Sequence, residues 1–192
     1  MSRLVLASSS PRRQELLRNA GFTFEVVPSR IDEDNHPDAD PIAHAERLAQ
    51  LKAEEVAQRF APEEDVVVLG ADTVVVAEGT VLGKPRSPKE AAAMLEKLSG
   101  REHQVITGVA LLAPGGSRRA VAHETTRVFF RPLTRQEIED YVASGEPLDK
   151  AGAYAIQGRA GRFVTRLEGC YFNVMGLPVA LVDRLVREWE AG

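Results

Sequence analysis

A carboxylate sits in the middle of an apolar stretch of this 192-residue chain. Residues 65–76 read Asp-Val-Val-Val-Leu-Gly-Ala-Asp-Thr-Val-Val-Val, so Asp72 divides two β-branched runs of the kind that form strands covered on both faces. An unpaired carboxylate buried there would cost several kcal/mol or be driven to its neutral form. Asp72 therefore needs a partner, and a metal, a cationic side chain or a reacting water would each serve. The small Gly70 and Ala71 leave room for a ligand beside it. The alternative is a strand end or turn at which Asp72 only caps backbone N–H groups.

A second segment constrains the chain in a similar way. Residues 4–7 are a short apolar run typical of a buried strand, Ser8, Ser9 and Ser10 follow, and Pro11 opens a helix at its favoured first position with Ser10 as the N-cap. Arg12 and Arg13 stand in the first helical turn, where the positive end of the helix dipole disfavours cations, which suggests a missing counter-charge. Backbone N–H groups, hydroxyls and a guanidinium fork converging on one point make a phosphate or carboxylate site. A capped surface helix with two solvated arginines is the plainer reading. Lys52 poses the same kind of choice. It falls in the apolar stripe Ile42, Ala45, Leu48, Ala49, Val56 and Phe60 of a helix expected over residues 41–60, so its ammonium either snorkels or meets a fixed anion. Phosphate binding by Lys52 gains support only if this helix packs beside the turn at residues 8–13.

The remaining segments read as alternating elements and loops. Gly21 ends the first helix, residues 22–27 form a strand, and Asp32, Glu33 and Asp34 open an acidic loop that reaches Pro41. A hairpin turn at Glu78 and Gly79 brings Lys84 back towards the Asp72 strand, unless Lys84 is simply a solvated loop lysine. Ser87, Pro88 and Glu90 form a capping box for a helix reaching Leu98, and Thr134 with Glu137 caps another reaching Ala143. Residues 103–113 and 118–130 flank Pro-Gly-Gly-Ser and read as a long antiparallel hairpin. Residues 144–161 carry Gly145, Gly152, Gly158 and Gly161 among Glu146, Asp149, Lys150 and Gln157. That stretch reads as an ordered ligand loop packed down by Tyr154 and Ile156. A strand over residues 162–167, a turn over residues 169–176 and a helix begun near Pro178 close the chain.

Length and composition narrow the function classes. The chain is long enough for one sizeable core and short for two, so a single domain over residues 1–192 is expected. A net charge of −4 argues against a nucleic-acid backbone binder and for a small-molecule partner. No apolar run approaches the roughly 20 residues of a membrane span, and the N-terminus lacks the apolar stretch of a signal peptide, so a cytoplasmic protein is expected. Cys170 is the sole cysteine, and His36, His44, His103 and His123 show no metal-ligand spacing. A bound metal should then be oxygen-ligated, as Mg2+ is.

The motifs taken together are familiar. Residues 8–13 (SSSPRR), 70–73 (GADT), 82–85 (LGKP), Ser99 with Gly100, Thr107 with Gly108, residues 149–158 (DKAGAYAIQG) and 176–178 (GLP) resemble, in order and spacing over nearly the whole chain, the Maf family of nucleotide pyrophosphatases. The resemblance implies an α/β fold related to the inosine triphosphate pyrophosphatases, with a long, mixed, curved sheet, flanking helices and a central cleft between two lobes. It implies hydrolysis of a nucleoside triphosphate between the α and β phosphates to monophosphate and pyrophosphate, a housecleaning role in the nucleotide pool. Arg12, Thr73 and Gln157 are similar to the pattern of the branch acting on dTTP and UTP, whereas the branch acting on 7-methyl-GTP has other residue types there.

The resemblance also distributes roles. Asp72 becomes the acceptor that activates water, Ser8, Arg13, Lys52 and Lys84 hold phosphates, and Glu33 with Asp72 holds Mg2+ or Mn2+. A homodimer is common in such families. The rival is a non-enzymatic nucleotide-binding regulator of septum formation, which would need the cations and no base. Carboxylates beside a polyanion are unfavourable unless a metal or a proton transfer employs them, and Asp72 and Glu33 are the features that discriminate.

Overall fold

The two β-branched runs join into one strand. The computed structural model describes residues 2–32 and 40–192, and in it residues 66–77 form an unbroken strand of which every residue but Thr73 is buried. In chain order the elements are β1 (Arg3–Leu6), α1 (Pro11–Asn19), β2 (Phe24–Val26), α2 (Pro41–Ala57), β3 (Val66–Ala77), β4 (Thr80–Leu82) and α3 (Pro88–Leu98), followed by β5 (Glu102–Leu112), β6 (Arg119–Phe130), α4 (Arg135–Ala143), β7 (Val164–Glu168), α5 (Tyr171–Met175) and α6 (Val179–Ala191). The strands make one mixed sheet in the order β2-β1-β3-β5-β6-β7, with β4 paired to β3. β1 runs parallel to both β2 and β3, while β4 and β7 run antiparallel to β3 and β6. No helix among the described residues is long and apolar enough to cross a membrane.

Local chemistry fixes the ends of the elements. α1 stops in a Schellman motif, with Phe22 N–H donating to Leu17 O, Gly21 N–H donating to Arg18 O and Gly21 at φ +82°. The capping box of α4 is complete, each of Thr134 and Glu137 accepting the other's backbone N–H. At α3 only half of the expected box forms. Ser87 Oγ accepts from Glu90 N–H, but the Glu90 carboxylate takes the Arg86 N–H at 2.6 Å in place of that of Ser87. α2 ends at Ala57, short of the expected Phe60, in single turns from Arg59 N–H to Val56 O and Phe60 N–H to Ala57 O. The turn expected over residues 169–176 contains the short helix α5.

The chain falls into two compact units. The first comprises the described residues of Met1–Asp72 with Thr107–Glu124 and Gly176–Gly192, and its core joins Val5, Val66, Val68 and Ala110 to Ala49, Ala53 and Val56 of α2. α2 crosses the sheet at glycines. A Cβ on Gly70 would stand 2.1 Å from Ala49 O, and one on Gly108 would stand 2.2 Å from Ala45 O. The small residues beside Asp72 therefore admit the backbone of a helix, which corrects the expectation that Gly70 leaves room for a ligand.

The second unit comprises Thr73–Ile106 and Thr125–Met175. Its core packs Leu95 and Leu98 of α3 and Tyr141 of α4 with Val128, Phe130 and Phe163. Phe130 meets His103, Tyr154 and Phe163 edge to face at 5.0, 4.9 and 6.0 Å between ring centres. Tyr154 and Ile156 are buried and pack residues 144–161 down as expected, in short 3-10 turns at Glu146–Asp149 and Ala151–Ala153.

Candidate active site

The turn after β1 is built around a buried arginine. Ala7 N–H donates to Leu69 O, which holds the chain beside β3 for one residue past the end of β1. Ser8 Oγ then accepts from Ser10 N–H at 3.2 Å and from Arg13 Nη1 at 3.3 Å, while Ser10 Oγ accepts the Arg13 N–H as helix cap. Arg13 Nε donates to Gly176 O at 2.8 Å. Arg13 and Ser8 are 8 % and 7 % exposed, which rules out a solvated surface arginine at position 13. Arg12, its neighbour, is partly exposed.

β3 runs on beyond its last pairing with β1, Leu6 with Leu69, and Asp72 is the third residue past that level. Asp72 is 6 % exposed and its Oδ1 accepts from Lys52 Nζ at 2.7 Å, with Lys52 itself 7 % exposed. Of the partners open to Asp72, the structure supplies the cationic side chain. Lys52 does not snorkel, because α2 turns it onto the sheet with Ala49, Ala53 and Val56. The capping alternative for Asp72 falls, since it lies inside a strand. β1 and α2 both pack on this strand, so the first unit gathers Ser8, Arg13, Lys52 and Asp72 around the end of β1. Oxygen acceptors, a hydroxyl and two buried cations at that place suit a polyanion and a water to be activated.

In the second unit three motif segments meet. β4 runs antiparallel to β3, Leu82 opposite Val75, so the chain after Leu82 heads back towards Thr73. There Gly83 O accepts from Gly152 N–H at 3.1 Å, and the exposed Lys84 follows. Gly152, at φ +69°, lies on β3: a Cβ would stand 2.9 Å from Val75 Cγ1. Its neighbour Ala153 has φ +60°, a strained conformation for a residue with a side chain and one that clusters at ligand sites. Further along, Gly158 N–H donates to Ala155 O and closes a turn with Gln157 exposed at its tip. Thr73, Lys84 and Gln157 thus belong to three segments, two of which, those of Lys84 and Gln157, are bonded to each other and rest on β3.

Glu33 lies outside the described residues, as do Asp34 and the rest of the acidic loop through residue 39. Among the described residues no three His, Cys, Asp or Glu side chains come together to hold a metal. Three features of the geometry carry no local signal in the sequence: the Lys52–Asp72 pair, Gly176 O as the anchor of Arg13, and the bonds from Ala155 N–H to Tyr141 Oη and from Arg159 N–H to the Glu146 carboxylate. Glu146 was visible only as one carboxylate among the glycines of the long loop.

Comparison with known proteins adds the family. The family model described as Maf-like protein matches residues 3–189. A protein of Geobacillus sp. (strain WCH70) named dTTP/UTP pyrophosphatase is 53 % identical over 188 residues, covering 98 % of this chain and 97 % of that protein. Another of that name, from Moorella thermoacetica, is 55 % identical over 186 residues, covering 97 % and 94 %. Among solved structures, the Staphylococcus aureus Ham1 protein superposes with a TM-score of 0.52 over 97 % of this chain and 98 % of its own, at 16 % identity, a likeness of fold. Since the family match takes in the buried Ser8–Arg13 and Lys52–Asp72 contacts and the loop under Gln157 alike, this chain belongs to the Maf-like protein family.

Proposed function

We propose that this chain hydrolyses dTTP and UTP to the nucleoside monophosphate and pyrophosphate, as the names of its relatives describe for them. The observation that carries the proposal is the buried Lys52–Asp72 pair, a carboxylate fixed inside an apolar strand beside the Ser8–Arg13 turn. A regulator that only bound nucleotide would need the cations and would be weakened by Asp72. The proposal takes residues 1–192 as one functional domain, since the family match runs through both units without a break. A single cysteine and a nucleotide substrate suit a cytoplasmic place.

In the proposed reaction Asp72 takes a proton from a water whose oxygen bonds to phosphorus as the α–β bridging bond breaks and pyrophosphate leaves. Arg13 and the Ser8 hydroxyl, already bonded to each other, hold phosphate oxygens. Lys52 offsets the charge of Asp72 in the resting protein and reaches phosphate when substrate is present, and Lys84 adds a further cation. The donor set fits a hard cation, because Mg2+ uses one or two protein carboxylates and takes its other ligands from phosphate and water. Asp72 and Glu33 would hold Mg2+ or Mn2+, and the metal when bound spreads the charge of the polyphosphate. Arg12, Thr73 and Gln157 select the base. A Gln amide can donate to a carbonyl of uracil or thymine and accept from the neighbouring N3–H, a pairing that cytosine reverses at its fourth position.

Replacing Asp72 by Asn keeps its shape and removes its basicity. Turnover of UTP should fall at least ~100-fold while KM changes much less. Near-normal turnover by a folded Asp72→Asn protein would remove Asp72 as the base.

A further inference from the structure

Gln157 stands exposed at the tip of a turn, and a side chain in that position can read a base only if the turn beneath it is fixed. Two side chains outside the motif-matched positions fix it. Ala155 N–H, on one flank of the turn, donates to Tyr141 Oη at 3.1 Å. Arg159 N–H, on the other flank, donates to both oxygens of Glu146, at 3.2 and 3.1 Å. Each flank of the turn is thus held by a side chain from outside it, Tyr141 on one side and Glu146 on the other. The carboxylate also fills the space over Gly158, where a Cβ would stand 2.2 Å from Glu146 Oε1. The absence of a side chain at Gly158 leaves this space to the carboxylate, and a Cβ there would displace the end of the Glu146 side chain from it.

Both supports are held in their turn. Tyr141 is 1 % exposed on α4, its ring edge-on to Phe163 at 5.3 Å. Glu146 opens a short 3-10 turn after Gly145 at φ +77°, and Lys150 Nζ donates back to Glu146 O at 2.9 Å while pairing with Asp149 at 2.6 Å. Packing alone would hold this loop without a charge. A carboxylate that takes one N–H with both oxygens fixes the direction of the peptide after Gly158 as well as its position.

We propose that Glu146 and Tyr141 are positioning residues that set the turn carrying Gln157 and thereby the choice of pyrimidine base, an inference that rests on the assignment of Gln157 to base recognition. Hydrogen bonding to the base then depends on a carboxylate that touches no part of the substrate.

The test compares wild type, Glu146→Ala, Tyr141→Phe, Gln157→Ala and the Glu146→Ala/Gln157→Ala double variant, with kcat and KM for UTP and CTP and inhibition by inorganic pyrophosphate. The UTP-over-CTP ratio of kcat/KM should fall ~10-fold or more in Glu146→Ala, chiefly through KM for UTP, and in the same direction in Tyr141→Phe. Inhibition by pyrophosphate should shift less than ~2-fold, because the phosphate-holding groups are untouched. The double variant should discriminate no less than Gln157→Ala alone. A merely structural role would lower kcat for both nucleotides together and leave the ratio alone. If Gln157→Ala lowers the ratio and neither Glu146→Ala nor Tyr141→Phe does, the positioning role is refuted and base reading by Gln157 stands. If Gln157→Ala leaves the ratio unchanged, base reading fails and this inference fails with it. Should Glu146→Ala not fold, Tyr141→Phe decides by the same ratio.

Discussion

Lys52 and Asp72 form a buried ion pair at 2.7 Å, and their coupling has a measurable sign. Replacing Lys52 by Met keeps the stem and leaves Asp72 as a buried charge without its cation, which should cost about 3–5 kcal/mol in urea unfolding. Adding Asp72→Asn to Lys52→Met should restore most of that loss. Strictly additive effects in the double variant would mean that the pair is not a unit. The need for a partner at Asp72 was legible in the sequence, since a carboxylate between two valine runs is too costly to bury alone. The partner's identity was not, because Lys52 lies 20 residues away and reaches Asp72 only through the way α2 lies on the sheet. Arg13 was half legible in the same sense. The misplaced charge at a helix N-terminus signalled a partner, while the partner Gly176 O is separated by 163 residues.

At the scale of elements, the approach of α2 to β3 and β5 rests on the absence of two side chains. Gly70→Ala or Gly108→Ala would drive a methyl into Ala49 O or Ala45 O, so each should destabilise the protein by about 1–3 kcal/mol or more and lower its Tm. A Tm within error of wild type for both would show that α2 can lift off the sheet freely. Glycine in a strand announces a close approach, yet it does not say by what, and this is why the space beside Asp72 read as room for a ligand. Caps were read more surely than lengths. Thr134 with Glu137 and Gly21 use bonds between residues a few positions apart, whereas the end of α2 at Ala57 and the presence of α5 depend on packing that no local pattern records.

For the whole molecule, the sheet and the flanking helices followed from the resemblance, but the two buried clusters did not show in composition, since β3, β5 and β6 each supply residues to both units. One consequence for global stability is its dependence on pH. His103 is 3 % exposed, bonded through Nε2 to Tyr154 Oη at 2.7 Å, and burial lowers its pKa to about 4. The folded state thus favours the neutral ring, and the unfolded chain takes up a proton near pH 6.5. Stability from this group is complete above about pH 6.5 and is lost as pH falls through 4, by about 3 kcal/mol in all. His103→Gln keeps a partner for Tyr154 and removes the titration, so its urea midpoint should change less than that of wild type between pH 7 and pH 4.5. Parallel pH slopes for the two proteins would exclude His103 as the source.

Hydrolysis of a pyrimidine triphosphate at one defined bond is the claim on which the roles of Asp72, Lys52, Arg13 and Gln157 all depend. Phosphorus NMR of the products formed by the purified chain from UTP, dTTP and CTP, in Mg2+ and in excess chelator, tests it most directly. The expected result is UMP or dTMP with pyrophosphate in Mg2+, little turnover of CTP, and none of any nucleotide in chelator. Orthophosphate with a nucleoside diphosphate, equal use of CTP, or turnover undiminished in chelator would contradict it.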